Sequence, residues 1–187
     1  MHLLALTPGE GFHPDRWARV LEAGVDAFMI REKQMEARAL WEAACWVRAR
    51  RPDLPLWING RLDVALALGA GLHAPEAHPD LPAGLVPRSR PLHAPDQWEA
   101  RRGLDQLLIA PALGVPGKGP AWGLEGLHTF LDGLPEGGPR LLALGGVTEA
   151  TAGTLRHPRL AGAALLRSLW EDPAPERRVR AIRAAWG

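Results

Sequence analysis

The sequence predicts an α/β fold built as a closed (β/α)8 barrel in which some helices are shortened or missing. Three observations carry this prediction. Short apolar runs of strand length alternate with amphipathic stretches of helix length, and the alternation repeats eight times along 187 residues. Strands separated by helices are joined by crossovers, which make neighbouring strands parallel. Polar or glycine residues also recur just after successive apolar runs, where a barrel gathers its loops at one mouth. The chain is shorter than the roughly 200 residues at which such TIM barrels usually begin, hence the expectation of missing helices. An open doubly wound sheet is the alternative; it requires a glycine-rich loop after the first strand, which Thr7, Pro8, Gly9, Glu10 and Gly11 fit only loosely.

Each element has a local reason. Residues 3–7 (LLALT) are a buried strand, followed by a helix over 15–23 with Asp15 as cap and Gly24 as stop. Residues 25–30 make the second strand, and 36–50 a periodic helix with Leu40, Ala44 and Val47 on one face. Strand three is 54–58; a short helix over 62–68 ends at Gly69, and 71–74 is a very short fourth strand. A passage through Pro75, Pro79, Pro82 and Pro87 then holds little regular structure. The rhythm resumes with a strand at 90–92, a helix at 95–102 and a strand at 106–110. A helix at 123–131, a strand at 141–144, a helix at 148–156, a strand at 161–166 and a closing helix at 174–186 complete the eight units.

Composition bounds the function classes. Hydrophobic residues make up 47% and charged residues 23%, ordinary for a globular protein, and residues 1–187 read as a single domain. A net charge of +1 creates no field that would draw nucleic acid or an anionic membrane. The arginine pairs 50–51, 101–102 and 177–178 read as solvated helix faces. No run is long enough to span a membrane and no signal peptide opens the chain, so the expected location is cytoplasmic. Cys45 is the only cysteine and reads as packing, not as a nucleophile or metal ligand. Eight tryptophans and no tyrosine leave room for an apolar interface and hence a homodimer.

The candidate site is the set of groups placed after the strands. Arg31 and Lys33 follow strand two, Asn59 strand three, His73 strand four and His93 strand five. Lys118 lies in a Gly/Pro loop after strand six, Gly145 and Gly146 follow strand seven, and Arg167 and Ser168 follow strand eight. All but two of the 22 basic side chains are arginine, and the two lysines, Lys33 and Lys118, both fall in this set. Gly145-Gly146 lets backbone N–H groups approach a ligand closely before a helix that Thr148 can cap, and such amides suit a phosphate. In barrels a phosphate commonly sits between the loops after strands seven and eight.

Four ordered segments carry a family resemblance: GVDAFMIREK at 24–33, INGRLDVALA at 58–67, Lys118 before GLEGL at 123–127, and LGGV at 144–147. Together they resemble the thiamin phosphate synthase and TenI superfamily, whose members are (β/α)8 barrels. The synthase couples a pyrimidine diphosphate to a thiazole phosphate with Mg²⁺, and its pattern implies an acid after Asn59 and another after the strand-four histidine motif. This chain has Gly60 at the first place and His78 at the second, within HAPEAH at 73–78, with Glu76 and Asp80 as nearby acids. Pro91 replaces the serine expected before the strand-five histidine.

These departures favour the TenI branch. That resemblance implies an isomerase that aromatises a thiazole carboxylate phosphate by proton transfer, with no metal and no other cofactor. His93 is then the catalytic acid/base, since histidine exchanges protons near neutral pH. Lys33 and Arg31 would meet the carboxylate, Gly145, Gly146 and Ser168 the phosphate, and Lys118 either anion, while His73 is a rival base. The expected partner is a phosphorylated thiazole. Two alternatives stand beside this reading: the Mg²⁺-dependent thiamin phosphate synthase, and a non-catalytic binder of thiamin intermediates.

Overall fold

A computed structural model describes residues 1–80 and 83–187. Leu81 and Pro82, the latter one of the prolines of the proline-rich passage, lie outside the described residues. In chain order the elements are β1 (His2–Leu6), α1 (Pro14–Glu22), β2 (Ala27–Ile30), α2 (Ala37–Arg50), β3 (Leu56–Asn59), α3 (Leu62–Leu68), β4 (Gly71–His73) and β5 (Arg88–Leu92). A 3₁₀ turn (Pro95–Gln97) leads into α4 (Trp98–Arg101), then β6 (Gln106–Ile109), α5 (Leu124–Asp132), β7 (Arg140–Leu144), α6 (Ala152–Leu155), β8 (Gly162–Leu165), α7 (Arg167–Trp170) and α8 (Pro175–Trp186). The eight strands pair in parallel in sequence order, and β8 closes on β1 through Leu3↔Ala163 and Ala5↔Leu165. The closed barrel, not the open sheet, is therefore the fold.

The strands read as continuous apolar runs because both faces are buried. One face, with Leu4, Leu6, Ala27, Met29, Trp57, Leu108, Leu142 and Ala164, fills the barrel interior. The other, with Leu3, Ala5, Phe28, Ile30, Ile58, Leu107, Ile109 and Ala143, packs beneath the helices. Gly71 is required opposite Trp57: a Cβ there would lie 2.5 Å from the indole. The long indole takes the interior volume that a side chain on β4 would otherwise occupy.

Helix economy is concentrated in the second half. Among the described residues no helix joins β4 to β5, and α4, α6 and α7 are single turns. Arg90 straps the proline-rich passage instead, donating to the carbonyls of His78 (2.7 Å) and Pro79 (3.1 Å) and pairing with Asp80 (2.9 Å). Local details differ from the expectations. Helix α1 starts at Pro14 with His13 as N-cap and no side-chain cap, since proline's fixed φ pre-forms the first turn. Thr148 does not cap α6; its N–H donates to Thr151 Oγ1 (2.9 Å) in the turn before that helix. Among the described residues no helix is long and apolar enough to cross a membrane.

Candidate active site

A cavity of about 550 Å³ opens at the C-terminal mouth of the barrel. Its walls take Leu6 from β1, Arg31 after β2, His73 from β4, Pro91 and His93 from β5 and just beyond, Leu108 and Ala110 from β6 and its end, Leu144 to Thr148 after β7, and Ala164 to Ser168 from β8 into α7. The loop 111–118 forms one side and Glu171 closes another. Eight of the ten expected residues thus meet in one place: Arg31, His73, His93, Lys118, Gly145, Gly146, Arg167 and Ser168. Lys33 and Asn59 do not line it; Lys33 is exposed in the turn after β2, and Asn59 ends β3 beside His73. Thr148 and Glu171 are walls that motif reading did not select for ligand contact.

Why Arg31 enters while Lys33 does not follows from the residue between them. Glu32 is buried, and its carboxylate accepts from the N–H groups of Gly9 (3.1 Å) and Gly11 (2.7 Å). That bond pins the loop after β1 to the loop after β2, while the Arg31 N–H donates to Thr7 Oγ1 (2.8 Å). The glycine-rich stretch at 7–11 is therefore not an anion cradle, because Glu32 already occupies its amides.

The cradle lies after the next strands round the barrel, β8 and β7. Gly145 and Gly146 have φ of +104° and +71°, a backbone conformation that glycine adopts without strain. Among the described residues, none of the amides of Gly145, Gly146 and Val147 donates to another group, and the amides of Arg167 and Ser168 at the start of α7 are likewise unused. The glycines also let the loop after β6 close down. Ala112 N–H donates to Leu144 O (2.8 Å), Leu113 N–H to Gly145 O (3.2 Å), and a Cβ on Gly146 would lie 2.6 Å from Leu113 Cβ. Thr151 Oγ1 donates to Gly146 O (2.7 Å) and fixes the turn from behind.

Two histidines stand on the opposite wall in different states. His73 is buried, bonded through Nδ1 to Ser89 Oγ (3.0 Å). Burial first, then the charges of Arg31, Arg90 and His93, push its pKa down to about 4, so it is neutral at neutral pH. His93 is exposed at the rim; its Nδ1–H donates to Ala110 O (2.6 Å), and its Nε2 lies 4.0 Å from Glu76 Oε2. Glu76 is held in turn by Arg101, which is buried and also donates to Pro91 O and Gln97 Oε1. Arg101 is accordingly a structural tie under the rim, not part of a solvated face. The Arg31 side chain and Lys118 have no ion-pair or hydrogen-bond partner among the described residues, so the cavity keeps free cationic groups.

Residues 7–95 match the thiamine monophosphate synthase family. A thiamine-phosphate synthase from Thermus thermophilus is 35% identical over 201 residues, spanning 96% of this chain and 94% of the relative. Another from Roseiflexus castenholzii is 31% identical over 87% of this chain and 76% of its own length. In fold, the thiamine phosphate pyrophosphorylase of Pyrococcus furiosus superposes with a TM-score of 0.82 at 20% identity, over 99% of this chain and 95% of that one. These near-full-length relatives overturn the isomerase expectation: they carry the name synthase. The acids missing at Gly60 and His78 favour a branch by motif alone, whereas overall identity ties the chain to synthases.

Proposed function

We propose that this chain, which belongs to the thiamine monophosphate synthase family, is a transferase that joins a thiazole phosphate to a pyrimidine diphosphate, releasing diphosphate. The observation that carries the reading is the cavity itself. One wall offers unused backbone amides around Gly145, Gly146, Arg167 and Ser168, and unpaired cations enter from two sides, Arg31 from the end of β2 and Lys118 from the loop after β6. Two anionic groups of different size can thus be met in one cavity.

In the coupling, the thiazole ring nitrogen supplies the electron pair for a new C–N bond to the pyrimidine methylene. The C–O bond to diphosphate breaks, and its electrons leave with the diphosphate. The β7–β8 amides orient the thiazole through its phosphate, which leaves the ring directed into the barrel mouth. Leu108, Leu144, Leu166 and Pro91 make that region apolar and exclude water, which would otherwise capture a pyrimidine cation. Arg31 and Lys118 stabilise negative charge as it grows on the leaving group. Neutral His73 offers a hydrogen bond to a heteroaromatic ring without adding charge. The nucleophile needs no deprotonation, so His93 serves as part of the wall, with no proton to carry.

The residues present do not fit the Mg²⁺ that the synthase pattern implies. Mg²⁺ takes hard oxygen donors, commonly one or two carboxylates with phosphate oxygens. Gly60 brings no carboxylate, Asp80 is paired with Arg90, Glu76 is paired with Arg101, and among the described residues no cluster of three His, Cys, Asp or Glu could hold a metal. Incubation of the purified protein with both substrates tests the reading: thiamin phosphate and diphosphate should appear together, and failure of either to form contradicts it.

A further inference from the structure

We infer that this chain binds diphosphate through its own fixed cations and does not need a divalent ion to do so, an inference that rests on the transferase reading for the identity of its ligand. The argument is one of donor sets. A divalent ion bridging protein and diphosphate needs carboxylate oxygens free to turn toward the cavity. At the mouths of β3 and β4 carboxylates are few among the described residues: Asn59 is followed by Gly60, Asp80 is paired with Arg90, and Glu76 holds Arg101 through Oε1 while its Oε2 faces His93 at 4.0 Å. Neither Glu76 nor Asp80 is among the cavity walls.

Charge at the cavity points the same way. Arg31, Lys118 and Arg167 line it with no ion-pair partner among the described residues. Arg31 is half-buried, and its guanidinium passes beneath Gly9, within 3.7 Å of where a Cβ would stand. A planar guanidinium held at a strand end can meet two phosphate oxygens at once, and Lys118 adds a compact point charge from the loop after β6. Glu171 is the one carboxylate in the described walls. It sits one turn beyond Arg167, with its N–H on Arg167 O (3.0 Å), which places it on the amide side and across from β3 and β4.

Calorimetric titration of the full chain with inorganic diphosphate, in EDTA and in Mg²⁺, tests the inference. Binding in EDTA should lie within threefold of that in Mg²⁺, and Arg31→Gln and Lys118→Ala should each weaken it tenfold or more. Lys118 is exposed, so its variant reports binding without a folding defect. Binding seen only with Mg²⁺, or a tenfold gain from Mg²⁺ that Glu171→Gln abolishes, overturns it. The coupling assay under the same two conditions separates the two readings. Turnover in EDTA supports both, and turnover only with Mg²⁺ overturns the metal-free inference while sparing the transferase. Metal-free diphosphate binding with no turnover in either condition supports the inference and removes the transferase.

Discussion

Replacing Gly146 with alanine probes the cradle where the backbone tolerates least. Two costs add. At φ +71° a Cβ meets its own carbonyl environment, a penalty of roughly 1–2 kcal/mol. The new atom would also lie 2.6 Å from Leu113 Cβ and 3.4 Å from the Leu113 backbone, against about 3.5–4.0 Å for relaxed carbon contact. Leu113 Cβ cannot rotate away, so the loop after β6 must move by about 1 Å, which overpacking data put at roughly 1–3 kcal/mol. The sum, roughly 2–5 kcal/mol, corresponds to a fall in Tm of about 5–15 °C for a chain of this size. Thermal denaturation by circular dichroism measures it. A second variant isolates the steric part: Leu113→Gly removes the offending carbon and should be less than additive with Gly146→Ala, whereas Leu113→Ala keeps it and should be additive. A Tm within 2 °C of the parent for Gly146→Ala, or rescue by Leu113→Ala, would refute the reasoning.

Three other outcomes follow from the geometry. Arg31→Ala should raise KM for the diphosphate substrate tenfold or more, while Lys33→Ala, exposed outside the cavity, should change it less than twofold; steady-state kinetics at varied substrate decides. His73 has a folded pKa of about 4 against 6.5 for the free side chain, so below pH 6.5 the unfolded chain takes up a proton that the folded chain refuses. Stability should therefore be unaffected by this group above pH 6.5 and fall by on the order of 3 kcal/mol as pH drops toward 4, a loss that His73→Gln should remove in urea titrations at matched pH. Glu32→Ala leaves the N–H groups of Gly9 and Gly11 without their carboxylate and should cost roughly 2–3 kcal/mol in urea, with Glu32→Gln costing about half.

The barrel was legible because two-sided burial makes each strand a plain apolar run, and because Gly24 and Gly69, with φ of +90° and +57°, mark where helices stop. Less visible were elements made by tertiary contact. Strand β5 begins at Arg88, two residues before the expected start at Arg90, because its register with β4 and β6 recruits polar Arg88 and Ser89. Helix α7 is a single turn, too short for any periodicity to announce it. At the site, strand order places a residue at the mouth but does not say which way its side chain turns. Arg31 and Lys33 look equivalent along the chain, and only the buried Glu32 between them, fixed by two glycine amides 23 and 21 residues earlier, separates a wall residue from an exposed one. The same holds for Glu76, whose engagement by Arg101 across 25 positions has no local signal. The branch was misread for a different reason: absent acids are conspicuous in a motif, whereas 35% identity spread over the chain is visible only when relatives are aligned.

The most direct measurement is a single-enzyme time course with the thiazole phosphate and the pyrimidine diphosphate, quantifying thiamin phosphate and released diphosphate in the same samples. Transfer within the cavity predicts one diphosphate for each thiamin phosphate, with both abolished by occupying the Gly145–Gly146 side with excess inorganic phosphate. Diphosphate release without thiamin phosphate, or no reaction at all from folded protein, would contradict it.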